Sequence, residues 1–159
     1  MILLTKYRVL GAALTIALAG AAGRAFAQDK ETVLKNRQAT MKEQGKDLGS
    51  IKDYLDGKAD LAQAQAGAVD LTQTTKKIPD LFPPGTGGPN PSGDYVARPV
   101  IWSDWNKFLD AQKTAAEKAD VLVVAVKSGD KAQIAAAFSD LGKNGCGGCH
   151  TTFREKIEH

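Results

Sequence analysis

Apolar residues recur at intervals of three and four along most of this 159-residue chain, the spacing of one face of an α-helix. A first stripe, Leu34, Arg37, Met41, Gly45 and Leu48, predicts a helix from about Asp29–Thr32 to Asp56, with Gly57 as its stop. Gly45 and Gly49 weaken it by ~1 kcal/mol each relative to alanine, and predict a local irregularity or a close approach by another group. A second stripe, Leu61, Ala64, Ala68, Leu71, Thr75 and Ile78, predicts a helix over 58–78 whose small residues let a neighbour come near. A third helix starts with Pro99 as its first residue and runs to Ser128, with Trp102, Trp105, Phe108, Gln112, Leu122 and Val126 on its stripe. Gly129 ends it, and Asp130 is a good N-cap for a fourth helix carrying Ile134, Phe138, Leu141, Phe153 and Ile157.

All six prolines lie between Pro79 and Pro99, with Gly85, Gly87, Gly88 and Gly93. That stretch is neither helix nor central strand. With Leu81, Phe82, Tyr95 and Val96 as apolar anchors it reads as a loop strapped along the other elements. Both tryptophans, at the start of the third helix, are expected to pack against it. Four amphipathic helices, two short turns and one long Pro/Gly-rich connection between helices 2 and 3 make an all-α, antiparallel four-helix bundle.

The N-terminus follows a different pattern. Lys6 and Arg8 precede an apolar run from Val9 to Ala22, and Ala25-Phe26-Ala27 forms a small-x-small cleavage site before Gln28. Residues 1–27 read as a secretory signal peptide and 28–159 as one domain, with no integral membrane segment after cleavage. The formal charge of +3 includes Lys6, Arg8 and Arg24. Without them 18 basic residues balance 18 acidic ones, and no basic patch suggests nucleic acid.

The chemistry is concentrated in Cys146-Gly147-Gly148-Cys149-His150. Cys-x-x-Cys-His is the attachment signature of a c-type haem, with two thioethers to the porphyrin and the histidine on iron. On an ideal helix the two sulfurs share one face, and the glycines leave room for the macrocycle against bare backbone. Cys-x-x-Cys alone could also be a redox dithiol or half a zinc site. The dithiol wants a βαβ context absent here, and zinc wants ligands this chain lacks, since only His159 remains outside the motif. Both cysteines are used by the haem, so no disulfide is available.

In an antiparallel bundle Met41 stands about 16 Å along the first helix from Lys30, and His150 about 12 Å along the fourth from Glu158. The two are nearly level, so a haem held by His150 presents its other face to Met41. A thioether there would make a six-coordinate, low-spin electron carrier; otherwise Met41 fills space over an open iron. Arg37, one turn lower on the same stripe, is placed to reach the haem propionates.

The Cys-Gly-Gly-Cys-His-Thr-Thr-Phe-Arg run at residues 146–154, Arg37-x-x-x-Met41, Ile78-Pro79-Asp80-Leu81-Phe82 and Pro99-Val100-Ile101-Trp102-Ser103-Asp104 resemble class II cytochromes c, the cytochrome c-prime family. The resemblance spans residues 28–159. It implies a left-handed four-helix bundle, often dimeric through its first two helices, with thioethers at Cys146 and Cys149, a proximal ligand at His150, a propionate-facing Arg37 and a basic Arg154 near the proximal face. The family includes low-spin, methionine-ligated members and five-coordinate ones. The long insertion from Pro83 to Gly93 leans toward the low-spin branch.

The sequence therefore leads to a non-enzymatic periplasmic cytochrome with one covalent haem, cycling Fe(III)/Fe(II) with His150 and Met41 axial and exchanging electrons with periplasmic redox proteins. The alternative is a five-coordinate protein that binds nitric oxide or carbon monoxide. A homodimer is permitted by the small residues on the second helix.

Overall fold

The computed structural model describes residues 29–88 and 94–157; the signal sequence, Gly93 and His159 lie outside them. Helix α1 (Lys30–Leu55) starts where the Asp29 side chain accepts from the Thr32 amide. Helix α2 (Leu61–Lys76) starts with a full capping box, in which Asp60 accepts from the Gln63 amide and the Gln63 side chain accepts from the Asp60 amide. Residues Ile78–Leu81 form a 3₁₀ turn that opens the long connection. A short strand β1 (Tyr95–Ala97) precedes α3 (Val100–Ser103). Asp104 leaves the helical region (φ −136°, ψ 67°) and caps α4 (Trp105–Ser128) by accepting from the Lys107 amide. The expected single third helix is thus broken after one turn, and Pro99 is the cap of its first piece.

Gly129 closes α4 at φ 71°, a conformation open to glycine. Asp130 then accepts from the Ala132 and Gln133 amides to start α5 (Lys131–Asp140). The helix widens into a π-helical segment over Leu141–Gly147 and returns to α6 (Gly148–Phe153). The chain leaves as strand β2 (Arg154–Lys156), antiparallel to β1 with Val96 opposite Glu155. Sequence periodicity carries the fourth helix through Ile157; the ladder stops it at Phe153.

Helices α1, α2, α4 and the α5–α6 run form the four members of the bundle. One core cluster, including Ile51, Leu71, Leu122, Ile134 and Leu141, fills the end near the α1–α2 and α4–α5 turns. The other is aromatic: Phe108 meets Phe82 and Phe153 edge-on at 5.0 and 5.3 Å, with Ile78 and Ile101 around them. Each such ring pair contributes roughly 0.5–1.5 kcal/mol beyond burial. Trp102 donates its indole N–H to the Phe82 and Pro83 carbonyls at 3.0 and 3.1 Å, so it holds the long connection, as expected.

The first helix is continuous, and nothing approaches Gly45 or Gly49 within 4 Å of an added Cβ. Neither expected irregularity nor close approach occurs there. The close helix contact is at Gly67, where an added Cβ would run into Ser50 Oγ and meet the Asp47 carbonyl at 3.0 Å.

Asp47, at this crossing, has an enclosed Oδ2 with no hydrogen-bond partner among the described residues. Burial, followed by the negative charges of Asp70 and Glu43, pushes its carboxyl up to about 6. An unfolded aspartate titrates near ~3.9, so between those values the folded chain binds more protons and stability falls as pH rises. Above about pH 6 the whole penalty is present. Asp47→Asn is therefore expected to stabilise the protein at pH 7 by about 1 kcal/mol, discounted because the residue is partly solvated. The gain should shrink toward pH 4 in urea unfolding.

Candidate haem site

The π-helical widening puts the Cys-x-x-Cys-His motif at the mouth of the interior. Gly145 packs flat on α4: an added Cβ would lie 2.8 Å from Leu141 Cδ1 and 3.3 Å from the Ala115 Cα. Asp140 anchors the start of the segment, accepting from Lys118 of α4 and from Asn144, each at 2.6 Å. Cys146 packs against the aliphatic cluster and Cys149 against the aromatic one, so the motif straddles the two halves of the core. Gly148 has open space at its missing side chain, as expected for a group lying against backbone.

Both thiols are free and half-buried. Burial pushes both up, and with the neighbouring Cys146 it takes Cys149 to about 11. Two protonated thiols are poor candidates for a reactive dithiol, which works as a thiolate. Burial, and then the charge of Arg154, lowers His150 to about 4, leaving a neutral imidazole ready to bind a metal.

These groups open onto a cavity of about 420 Å³. Cys146, Cys149 and His150 lie on one wall, with Leu34, Arg37 and Met41 of α1 also lining it. Phe82, Ile101, Phe108 and Phe153 make it apolar, and Tyr95, Val96 and Ala97 of the strap form part of its boundary. Met41 is partly buried and packs on the same aromatic cluster as Cys149. An apolar slot with two thiols, a neutral imidazole and cations at its rim fits a large flat prosthetic group with anionic arms.

Residues 32–154 match the family described as Cytochrome C'. The chain is 34% identical over 134 residues to cytochrome c' of Alcaligenes xylosoxydans xylosoxydans, covering 82% of this chain and 98% of that one. The chain belongs to the cytochrome c-prime family. It is 37% identical over 111 residues to cytochrome c' of Rubrivivax gelatinosus, covering 69% of this chain and 83% of the relative. It also superposes on the nitric oxide complex of a variant of cytochrome c prime from Alcaligenes xylosoxidans, with TM-score 0.70, 32% identity and coverage of 81% and 98%. As in cytochromes c-prime generally, the cofactor is covalently attached haem c, and the fold is their four-helix bundle.

Two of the expected site residues also have protein partners that their spacing did not show. Arg37 is buried on the cavity wall, yet its guanidinium is largely committed to protein: Nε and Nη2 donate to the Leu81 carbonyl at 3.0 and 2.9 Å, Nη2 to Thr86 Oγ1 at 2.8 Å, and Nη1 to the Thr86 carbonyl at 3.4 Å. Its plane also covers the Phe82 ring at 3.9 Å. Of five N–H groups about one is left over, so Arg37 is a clamp on the long connection before it is a propionate partner. Burial lowers its pKa to about 10 without discharging it at neutral pH.

Arg154 reaches the cavity by a different route from the one its spacing implied. It is extended (φ −119°, ψ 143°), not one helical turn beyond His150, and its guanidinium stacks on Tyr95 at 4.1 Å. The strap is further held by the Arg98 amide donating to the Phe153 carbonyl at 2.9 Å and the Ile157 amide to the Asp94 carbonyl at 2.8 Å.

Sequence periodicity placed Gly45 on the inner stripe; the structure exposes it and buries Gln44, which lines the cavity. The available signal was its spacing, three residues after Met41 and seven after Arg37, on the face those two define.

Proposed function

We propose that this protein is a periplasmic cytochrome c-prime that binds nitric oxide or carbon monoxide at an open haem face. The observation that carries the reading is the near full-length likeness to a cytochrome c prime whose solved structure holds nitric oxide. The bound haem c supplies an iron that takes up a diatomic gas and changes between the ferric and ferrous states.

In this reading Cys146 and Cys149 form the thioethers and His150 holds the proximal side. Buried thiols and a neutral imidazole keep those groups in the cavity as ligands and attachment points, not as acids or bases. Met41, Leu34 and Phe82 line the same cavity with apolar bulk and would keep water scarce around the bound group. Arg154 would hold the strap at the cavity edge by stacking on Tyr95, on the same lining as His150. Residues 1–27 direct export, which fits haem attachment outside the inner membrane.

The second reading is an electron carrier in which Met41 is the sixth ligand and periplasmic redox proteins are its partners. Its support is that Met41 shares the cavity with His150. The family match favours cytochrome c-prime proper over this low-spin branch.

One spectrum separates the two. Protein drawn from the periplasmic fraction and reduced is expected to show a broad high-spin band that shifts when carbon monoxide is added. A sharp α band that ignores carbon monoxide would replace the open face with a Met41 ligand.

A further inference from the structure

Among the described residues the exposed large hydrophobic side chains are Tyr95 of the strap and three valines: Val69 of α2 at 37%, Val121 of α4 at 59% and Val124 of α4 at 69% exposure. The valines share one groove. Gln65 of α2 donates to the Val126 carbonyl at 3.2 Å and Lys76 pairs with Asp120 at 2.8 Å, so α2 and α4 run side by side over this stretch. Val69 lies four residues after Gln65 and seven before Lys76, on the edge of α2 that follows α4. Val121 and Val124, three apart, share the outer face of α4.

An exposed aliphatic residue on its own needs no explanation, but a group confined to one groove marks an interaction surface. This one stands clear of the haem site. The cavity takes Phe108, Gln112 and Ala115 from α4 and none of the valines. It also differs from the surface that the family resemblance implies for dimers, since α1 exposes no large apolar side chain among its described residues.

The charges around the valines indicate what fits there. Along the exposed side of α4 the acidic Glu117 and Asp120 precede the valines, and the basic Lys127 follows them. A parallel copy of α4 would set like charge on like. An antiparallel copy, related by a two-fold axis between Val121 and Val124, sets each Val121 on the Val124 of the other copy. At 1.5 Å per residue Asp120 then stands about 3 Å along the axis from Lys127 of the second copy, and Glu117 is level with the neutral Ser128. Asp120 and Lys127 are seven residues apart and share one flank of the valine stripe, so the same pair forms twice. An apolar centre with oppositely charged ends is complementary to itself.

We propose that the α4 face around Val121 and Val124 is a homodimer interface, in which two α4 helices pack antiparallel and Asp120 of each copy pairs with Lys127 of the other. The state of the iron does not enter, so the inference stands apart from the gas-binding reading.

Sedimentation of the haem-loaded protein tests it. Wild type is expected at a two-copy mass, and the joint change Val121→Glu with Val124→Glu is expected to raise the dissociation constant by roughly tenfold or more. Haem content and the carbon monoxide spectrum should stay as they are, because neither residue lines the cavity. Asp120→Lys and Lys127→Asp should each weaken the dimer, and the two together should restore it. Carbodiimide coupling in a mixture of isotopically light and heavy wild-type protein should join Asp120 to Lys127 between copies, a check that needs no variant. A one-copy wild type, a dimer that survives the valine changes, or no such link between copies would overturn the proposal.

Discussion

Arg37→Ala is expected to lower the melting temperature of the haem-loaded protein by about 10 °C, the result of losing about 3 kcal/mol. The side chain gives four hydrogen bonds to Leu81 and Thr86 and covers the Phe82 ring, all on the long connection. Alanine leaves two backbone carbonyls short of a donor, the one at Thr86 in a buried bond, and removes the cation from the face of an enclosed ring. Arg37→Lys should recover little. A single ammonium cannot span Leu81 and Thr86 as the planar fork does, and it is more expensive to desolvate. The loss should be accompanied by faster proteolysis within 81–97, the segment the clamp holds. A melt unchanged by Arg37→Ala would mean that the aromatic cluster alone secures the connection.

Gly145→Leu is expected to abolish accumulation of haem-loaded protein, and Gly145→Ala to destabilise it by about 2 kcal/mol. The side chain has nowhere to go: Leu141 is fully buried on one side and the Ala115 backbone lies on the other. Moving α4 away from the π-helical segment would also strain the Lys118–Asp140–Asn144 link that positions the segment. Gly142 is the control. It is exposed with nothing within 4 Å, so Gly142→Ala should be neutral or stabilising by up to ~1 kcal/mol. Haem staining and thermal melts of the three variants distinguish the sites; equal behaviour would show that the π segment adjusts freely.

Much of this was legible in the chain, and for physical reasons. The helix starts at Asp29 and Asp130 were readable because both aspartates do their work through local side-chain-to-amide bonds that need no knowledge of the fold, whereas the second helix, expected from Lys58, starts at Leu61 behind its Asp60 cap. Cys146, Cys149 and His150 were readable because haem attachment demands those atoms at that spacing. That Met41 and Arg37 line the same cavity as His150 followed from helical spacing and rise. Most of what escaped depends on contacts between distant segments. The end of α6 at Phe153 is set by the strap, whose strand pairs with the residues that follow; the break at Asp104 is a local cap on the Lys107 amide that the continuous apolar stripe hid. Arg37 seemed to want an anion because carbonyl partners at Leu81 and Thr86 leave no mark in sequence. Gln44 was passed over because a stripe drawn at ideal spacing can fall on either of two adjacent residues, and the apolar count does not choose between Gln44 and Gly45.

The small ladder between β1 and β2 also imposes an order of assembly. In a chain made from its N-terminus, α1, the Arg37 clamp and the strap all exist before Cys146 does. Strand β2 follows the haem motif, so the last hydrogen bonds to the strap form only after both cysteines have been delivered. The ladder is a clasp whose second strand lies just beyond the haem motif, so along the chain it is the last part of the fold that can be fastened.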